Sequence, residues 1–163
     1  RTIISDENYL VSPADGLITA IKDTNGPIEL GLENKTFTRV SIFMNVFNCH
    51  VNRIPCAGKI NKIFYKPGKY INASLDKSSE ENERNYLLMN STNGDKIILV
   101  QIAGLIARRI VCEAKENDEN KQGDRFGIIR FGSRVDLYFN NYQLMVQQNQ
   151  KTIGGETLIA KKN

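Results

Sequence analysis

Apolar and polar positions alternate with a period of two along much of this chain, the spacing of strands that set one face on a core. Positions 38–44 begin in alternation and 59–65 follow the pattern more loosely. Positions 95–102 form a nearly continuous apolar run, which reads as a buried central strand. Two further strands are expected at 125–131 and 134–139, interrupted at Gly132-Ser133. Turn residues punctuate these runs at Asn25-Gly26-Pro27, Pro67-Gly68, Asn93-Gly94 and Gly154-Gly155. Asn93-Gly94 separates Tyr86-Leu87-Leu88-Met89 from the 95–102 run and predicts a hairpin, because both turn positions tolerate positive φ. Only 77–85 is polar and short in the manner of a helix, and 113–123 reads as a charged, solvated excursion. The pattern therefore predicts a mainly β (β-rich α+β) fold, with short strands in one sandwich- or barrel-like domain over 1–163 and few short helices.

Composition narrows the function classes. The 163 residues suffice for one sizeable core, and 40% hydrophobic with 25% charged residues is an ordinary globular balance. Lys plus Arg number 22 against 18 acidic residues, a net charge of +4 without the dense basic runs of a nucleic-acid arm. Trp is absent, which argues against a stacking platform for single strands, so no nucleic-acid partner is expected. No apolar stretch is long enough to cross a bilayer and no signal peptide opens the chain. The first residue is Arg1 rather than Met, and the chain is read as a fragment with an unseen upstream part.

Single residues leave their chemistry open. Cys49, Cys56 and Cys112 are an odd, sparse set that suits reduced thiols; with His50 they match no usual zinc spacing, so no metal is expected. His50 is the one histidine, readable as a satisfied structural imidazole or as a proton carrier near neutral pH. Asp15, between Ala14 and Gly16, reads first as a turn residue. Lys77 in Leu75-Asp76-Lys77-Ser78 invites comparison with the lysine on the hairpin tip of lipoyl- or biotinyl-type β-barrel carriers, although the polar stretch after it is long for a tight hairpin. Arg108 and Arg109 would face opposite sides of a strand, leaving one as a candidate for an anionic substrate or both as a solvated pair. Gly132-Ser133 fits a bulge or turn. A serine directly after a permissive glycine can also attack the preceding carbonyl.

An ordered set of segments carries more than any one of them. Ser12-Pro13-Ala14-Asp15-Gly16, Phe47-Asn48-Cys49-His50-Val51-Asn52-Arg53-Ile54-Pro55, Pro67-Gly68-Lys69, Asn82-Glu83-Arg84-Asn85, Gln101-Ile102-Ala103-Gly104, Arg130-Phe131-Gly132-Ser133-Arg134-Val135-Asp136 and Gly154-Gly155-Glu156-Thr157 occur in that order. Together, over about residues 11–160, they resemble the phosphatidylserine decarboxylase family in its short bacterial form.

The resemblance implies a proenzyme that cuts itself between Gly132 and Ser133 without hydrolysis. It implies a β chain of 1–132 and an α chain of 133–163 that stay associated, the latter capped by a pyruvoyl group made from Ser133. That group would form a Schiff base with the amine of phosphatidylserine and act as electron sink while CO2 leaves, giving phosphatidylethanolamine. By the same resemblance Asp15 orients and stabilises the base in self-cleavage, and His50 does acid/base work in decarboxylation. Arg53 stands where longer relatives carry a second histidine; arginine stays protonated, so His50 is expected to serve both steps. Arg53 is then left to stabilise the oxyanion or the lipid phosphate, and Arg108 is a further substrate-binding candidate on its own chemistry. The implied setting is the cytoplasmic face of the bacterial cell membrane, on an anionic surface, held peripherally or by an apolar N-terminal segment absent from this sequence. A homodimer and a different serine lipid as substrate remain open. The alternative, a carrier module using Lys77, predicts no backbone scission.

Overall fold

The computed structural model describes residues 1–45, 50–105, 109–129 and 132–163. The strands are β1 (Tyr9–Val11), β2 (Gly16–Asn25), β3 (Thr36–Met44), β4 (Val51–Arg53), β5 (Gly58–Lys66), β6 (Arg84–Ser91) and β7 (Lys96–Ile102), then β8 (Ile110–Cys112), β9 (Glu119–Asn120), β10 (Arg125–Ile129), β11 (Ser133–Phe139), β12 (Tyr142–Leu144), β13 (Lys151–Thr152) and β14 (Leu158–Lys162). A curled antiparallel sheet in the order β13-β2-β3-β11-β7-β6-β5-β9 forms a half-barrel. Two small sheets accompany it, β4-β10-β8 and β1-β14-β12. The mainly β expectation holds.

Alternation decides which side chains meet. Odd positions of β6, β7 and β11 join even positions of β3 in the larger core, which contains Leu87, Leu99, Leu137 and Ile42. Their neighbours face the other way, where Phe37, Tyr86, Ile98, Val100 and Tyr138 form a second cluster. The 95–102 run is apolar on both faces because both are covered, and its strand lies inside the sheet between β6 and β11. The hairpin at Asn93-Gly94 is present, with Gly94 at φ +85°.

Three local expectations need correction. Only Ser78–Glu81 forms a single helical turn, α1, within the 77–85 stretch, since Arg84 already pairs in β6. The charged excursion at 113–123 contributes the short strand β9, which pairs with β5 and extends the sheet. The expected break at Gly132-Ser133 falls before the serine: Ser133 is the first residue of β11, opposite Met44 of β3. Its alternation with Val135 and Leu137 continues the strand.

On the second face, charge is buried with its partners. Arg134 and Asp136 are both buried and joined by two hydrogen bonds, Nε to Oδ1 at 2.9 Å and Nη2 to Oδ2 at 3.1 Å. Arg134 Nη1 also donates to the carbonyls of Ala73 and Leu75, fastening the 67–83 connection onto the sheet. A buried guanidinium is tolerated when its fork is filled in this way.

Candidate active site

The end of β3 pairs with the start of β11 in the half-barrel, and the start of β4 pairs with the end of β10 in the small sheet. At one side Gly132 N donates to the Met44 carbonyl at 2.6 Å, and at the other Ile129 N donates to the His50 carbonyl at 3.1 Å. The Gly132-Ser133 link thus follows the end of β10 by a few residues, and His50, just before β4, is tied by its carbonyl to that same end of β10.

The link itself is shaped by two glycines. Gly132 sits at φ +78°, a left-handed conformation that costs a side chain roughly 1–2 kcal/mol. Its carbonyl is pressed against Gly104, where an added Cβ would lie 1.7 Å from the Gly132 oxygen and 2.8 Å from its carbon. Gly104 is therefore required by space, whereas a Cβ on Gly132 meets no atom within 4 Å and that residue is required by conformation. Ser133 is fully buried and, by alternation with Val135 and Leu137, lies on the face of the larger core.

Asp15 lies in the turn between β1 and β2. The turn is fixed by Ser12 Oγ and Thr152 Oγ1, both donating to the Ala14 carbonyl. The Asp15 carboxylate accepts from Gly154 N at 2.6 Å and from both terminal nitrogens of Arg1 at 2.6 and 2.9 Å. Burial alone would raise its pKa. The hydrogen bonds from Arg1 and Gly154 and the charges of Arg1 and Arg53 outweigh that and hold it below the usual carboxylate value. Arg53 Nη1 donates to the Gly123 carbonyl at 2.8 Å, while its buried Nε has no hydrogen-bond partner among the described residues. The Arg53 stem runs over Gly155, where a Cβ would stand 3.2 Å from its Cδ.

The expected site residues thus fall into two groups: Gly132, Ser133 and the backbone of His50 at the ends of the β3–β11 and β4–β10 pairings, and Asp15 with Arg53 beside Gly154 and Gly155. Arg108 and Cys49 lie outside the described residues. Cys56 is buried in the larger core, its thiol pushed up to about 12 chiefly by burial, and Cys112 is raised chiefly for the same reason. Lys77 precedes the helical turn α1 rather than capping a tight hairpin. Sequence reasoning missed Gly104 as a contact of the Gly132 carbonyl, and missed Arg1 as the partner of Asp15. It also passed over the amides of Asn52, Asn85 and Gln101, although one glutamine inside an apolar run is a legible signal, since a buried amide must find partners.

The family model described as phosphatidylserine decarboxylase matches residues 1–160. The chain belongs to the phosphatidylserine decarboxylase family. It is 63% identical over 162 residues to the phosphatidylserine decarboxylase proenzyme of Pelagibacter ubique (strain HTCC1062), covering 99% of this chain and 75% of that relative. The proenzymes of Rickettsia typhi and Rickettsia prowazekii are each 58% identical over 161 residues, covering 98% of this chain and 70% of theirs. Among the described residues no helix of this family member is long and apolar enough to cross a membrane, and no group of three or more His, Cys, Asp or Glu side chains is placed to hold a metal ion.

Proposed function

We propose that this chain is a self-processing proenzyme whose mature form decarboxylates phosphatidylserine to phosphatidylethanolamine and CO2, a carbon–carbon lyase acting through a pyruvoyl group. The observation that carries the reading is the Gly132-Ser133 link: a strained glycine whose carbonyl is fixed against Gly104, followed by a buried serine at the head of a central strand.

In the proposed cut, Ser133 Oγ attacks the Gly132 carbonyl carbon and the amide nitrogen leaves, so the amide becomes an ester and residue 133 gains a free amine. Removal of the Ser133 Cα proton expels the Gly132 carboxylate and leaves a dehydroalanine. Its tautomer takes up water and loses ammonia, which gives the ketone of a pyruvoyl cap. Once formed, that group supplies a carbonyl for the substrate amine and a sink for the electron pair released with CO2.

The residues around it fit such a cap. β11 is hydrogen-bonded on both sides, to β3 and to β7, and the Arg134–Asp136 pair holds its second residue. A chain beginning at 133 would keep these bonds, which supports two products, 1–132 and 133–163, that remain together. His50, whose carbonyl accepts from Ile129 N three residues before the link, is assigned the proton of Ser133 Oγ during the cut and, in the mature enzyme, the proton delivered to the carbon that loses CO2. Asp15, held ionised, keeps a negative charge beside Arg53, whose Nε is a donor for the oxyanion or the lipid phosphate. Leu105, directly after Gly104, is 54% exposed and Leu75 is 45% exposed, which suits contact with a lipid surface at the cytoplasmic membrane face.

His50→Ala tests the assignment. With phosphatidylserine vesicles, the variant should release CO2 at least ~100-fold more slowly than the parent, the range for a lost general acid or base. Its precursor should also persist uncut by intact mass. A His50→Ala chain cut as fast as the parent would assign Ser133 activation to another group.

A further inference from the structure

Polar residues from three of the ordered sequence segments converge in one buried network. Asn85 of β6 and Gln101 of β7 are cross-strand partners on the face of the larger core, and Asn52 projects from β4 of the small sheet; all three are buried. Asn85 Nδ2 donates to Gln101 Oε1 at 3.1 Å. Gln101 Nε2 donates to Asn52 Oδ1 at 3.0 Å and to the Val111 carbonyl of β8 at 3.1 Å. Asn52 Nδ2 in turn lies 3.9 Å from Met44 Sδ as donor.

The network closes around the link. Met44 is the backbone partner of Ser133, and Gln101 is the cross-strand partner of Val135, two positions along the same face. Ser133 is thereby bracketed by the two residues at the ends of the Met44–Asn52–Gln101 path. Gln101 also joins two separate sheets: Ser133 belongs to the half-barrel, while β4, which follows His50 and includes Arg53, belongs to the β4-β10-β8 sheet. β10 gives room for this contact through Gly127, where a Cβ would stand 2.6 Å from Gln101 Nε2. An apolar side chain at 101 would fill the space, but it would leave the Asn52 and Val111 oxygens without their donor.

We propose that Gln101 is a positioning residue that sets the β4-β10-β8 sheet, to which the adjoining His50 is tied, against Ser133, so that proton acceptor and nucleophile meet in the precursor and again in the mature enzyme. The proposal rests on the self-processing reading. A carboxamide is suited to the task because its oxygen serves Asn85 while its nitrogen serves Asn52 and Val111, and no single-function group can do both.

The experiment compares Gln101→Met with Leu99→Ala, a core truncation on the same strand and face, at a temperature where both keep the parent's circular dichroism. Gln101→Met should be cut about tenfold or more slowly than Leu99→Ala, because a small misplacement of reacting groups costs rate steeply. In its matured fraction kcat should fall by a similar factor with KM for vesicle lipid within about twofold. Gln101→Glu should be no better, since it presents oxygen to the Asn52 and Val111 oxygens. If Gln101→Met does not fold, Asn85→Ala, which removes the Oε1 partner but leaves Asn52 and Val111 their donor, should show the same slowing to a smaller degree. Equal cutting of the Gln101 (or Asn85) variant and Leu99→Ala, with the parent cut normally, overturns the positioning role alone. An uncut parent overturns the self-processing reading and this inference together.

Discussion

Ser133→Ala should leave one uncut chain of 18.4 kDa with no detectable decarboxylation. The loss is complete rather than graded because the hydroxyl is assigned two tasks, attack on the Gly132 carbonyl and supply of the carbons of the cap. No neighbouring group can replace the second. The fold should survive, since the change removes one oxygen from a buried side chain and leaves the backbone pairing with Met44 untouched. Intact mass under denaturing conditions reads the missing cut, and circular dichroism reads the surviving β structure. A Ser133→Ala protein that still separates into two chains would place the break elsewhere and remove the serine from the chemistry.

Gly104→Ala should have the next largest effect. The new methyl would be 1.7 Å from the Gly132 oxygen, inside any contact real atoms make, and its target is backbone rather than a flexible side-chain end. Either the 103–105 segment or the carbonyl must move. Overpacking of this kind costs about 1–3 kcal/mol of stability. The kinetic effect should be larger, because displacing the carbonyl by even ~1 Å from the nucleophile's line costs on the order of 100-fold. Gly94→Ala is the control: it strains a left-handed residue at the far hairpin but meets no atom within 4 Å, so stability should fall without slowing the cut. Processing time courses followed by mass check both. Gly104→Ala maturing at the parent's rate would show that the contact with the Gly132 carbonyl has no part in the cut.

Much of the fold could be read from local chemistry. The apolar run at 95–102 announced a covered central strand, and Asn93-Gly94 announced its hairpin, because period and turn residues act over a few positions. The site was legible only in part. Asp15 looked like a turn residue and is one, but its partners Arg1 and Gly154 are 14 and 139 positions away, and no short-range pattern reports them. The break expected at Gly132-Ser133 proved to be a left-handed glycine followed by an unbroken strand, since a serine can occupy an inward strand position that pattern reading assigns to an apolar residue. Arg134 and Asp136 gave no warning of burial, because charged residues are normally exposed unless paired and their pairing depends on tertiary neighbours. Gln101, Asn85 and Asn52 belong to three strands in two sheets, so their convergence follows from topology alone.

The most direct measurement is the intact mass of the freshly purified, denatured parent protein. Two species are expected, one ending at Gly132 and one starting at position 133, the smaller lighter by one ammonia than the peptide with an ordinary serine there. A single unbroken chain, or a small fragment with a free amino-terminal serine, would contradict the account.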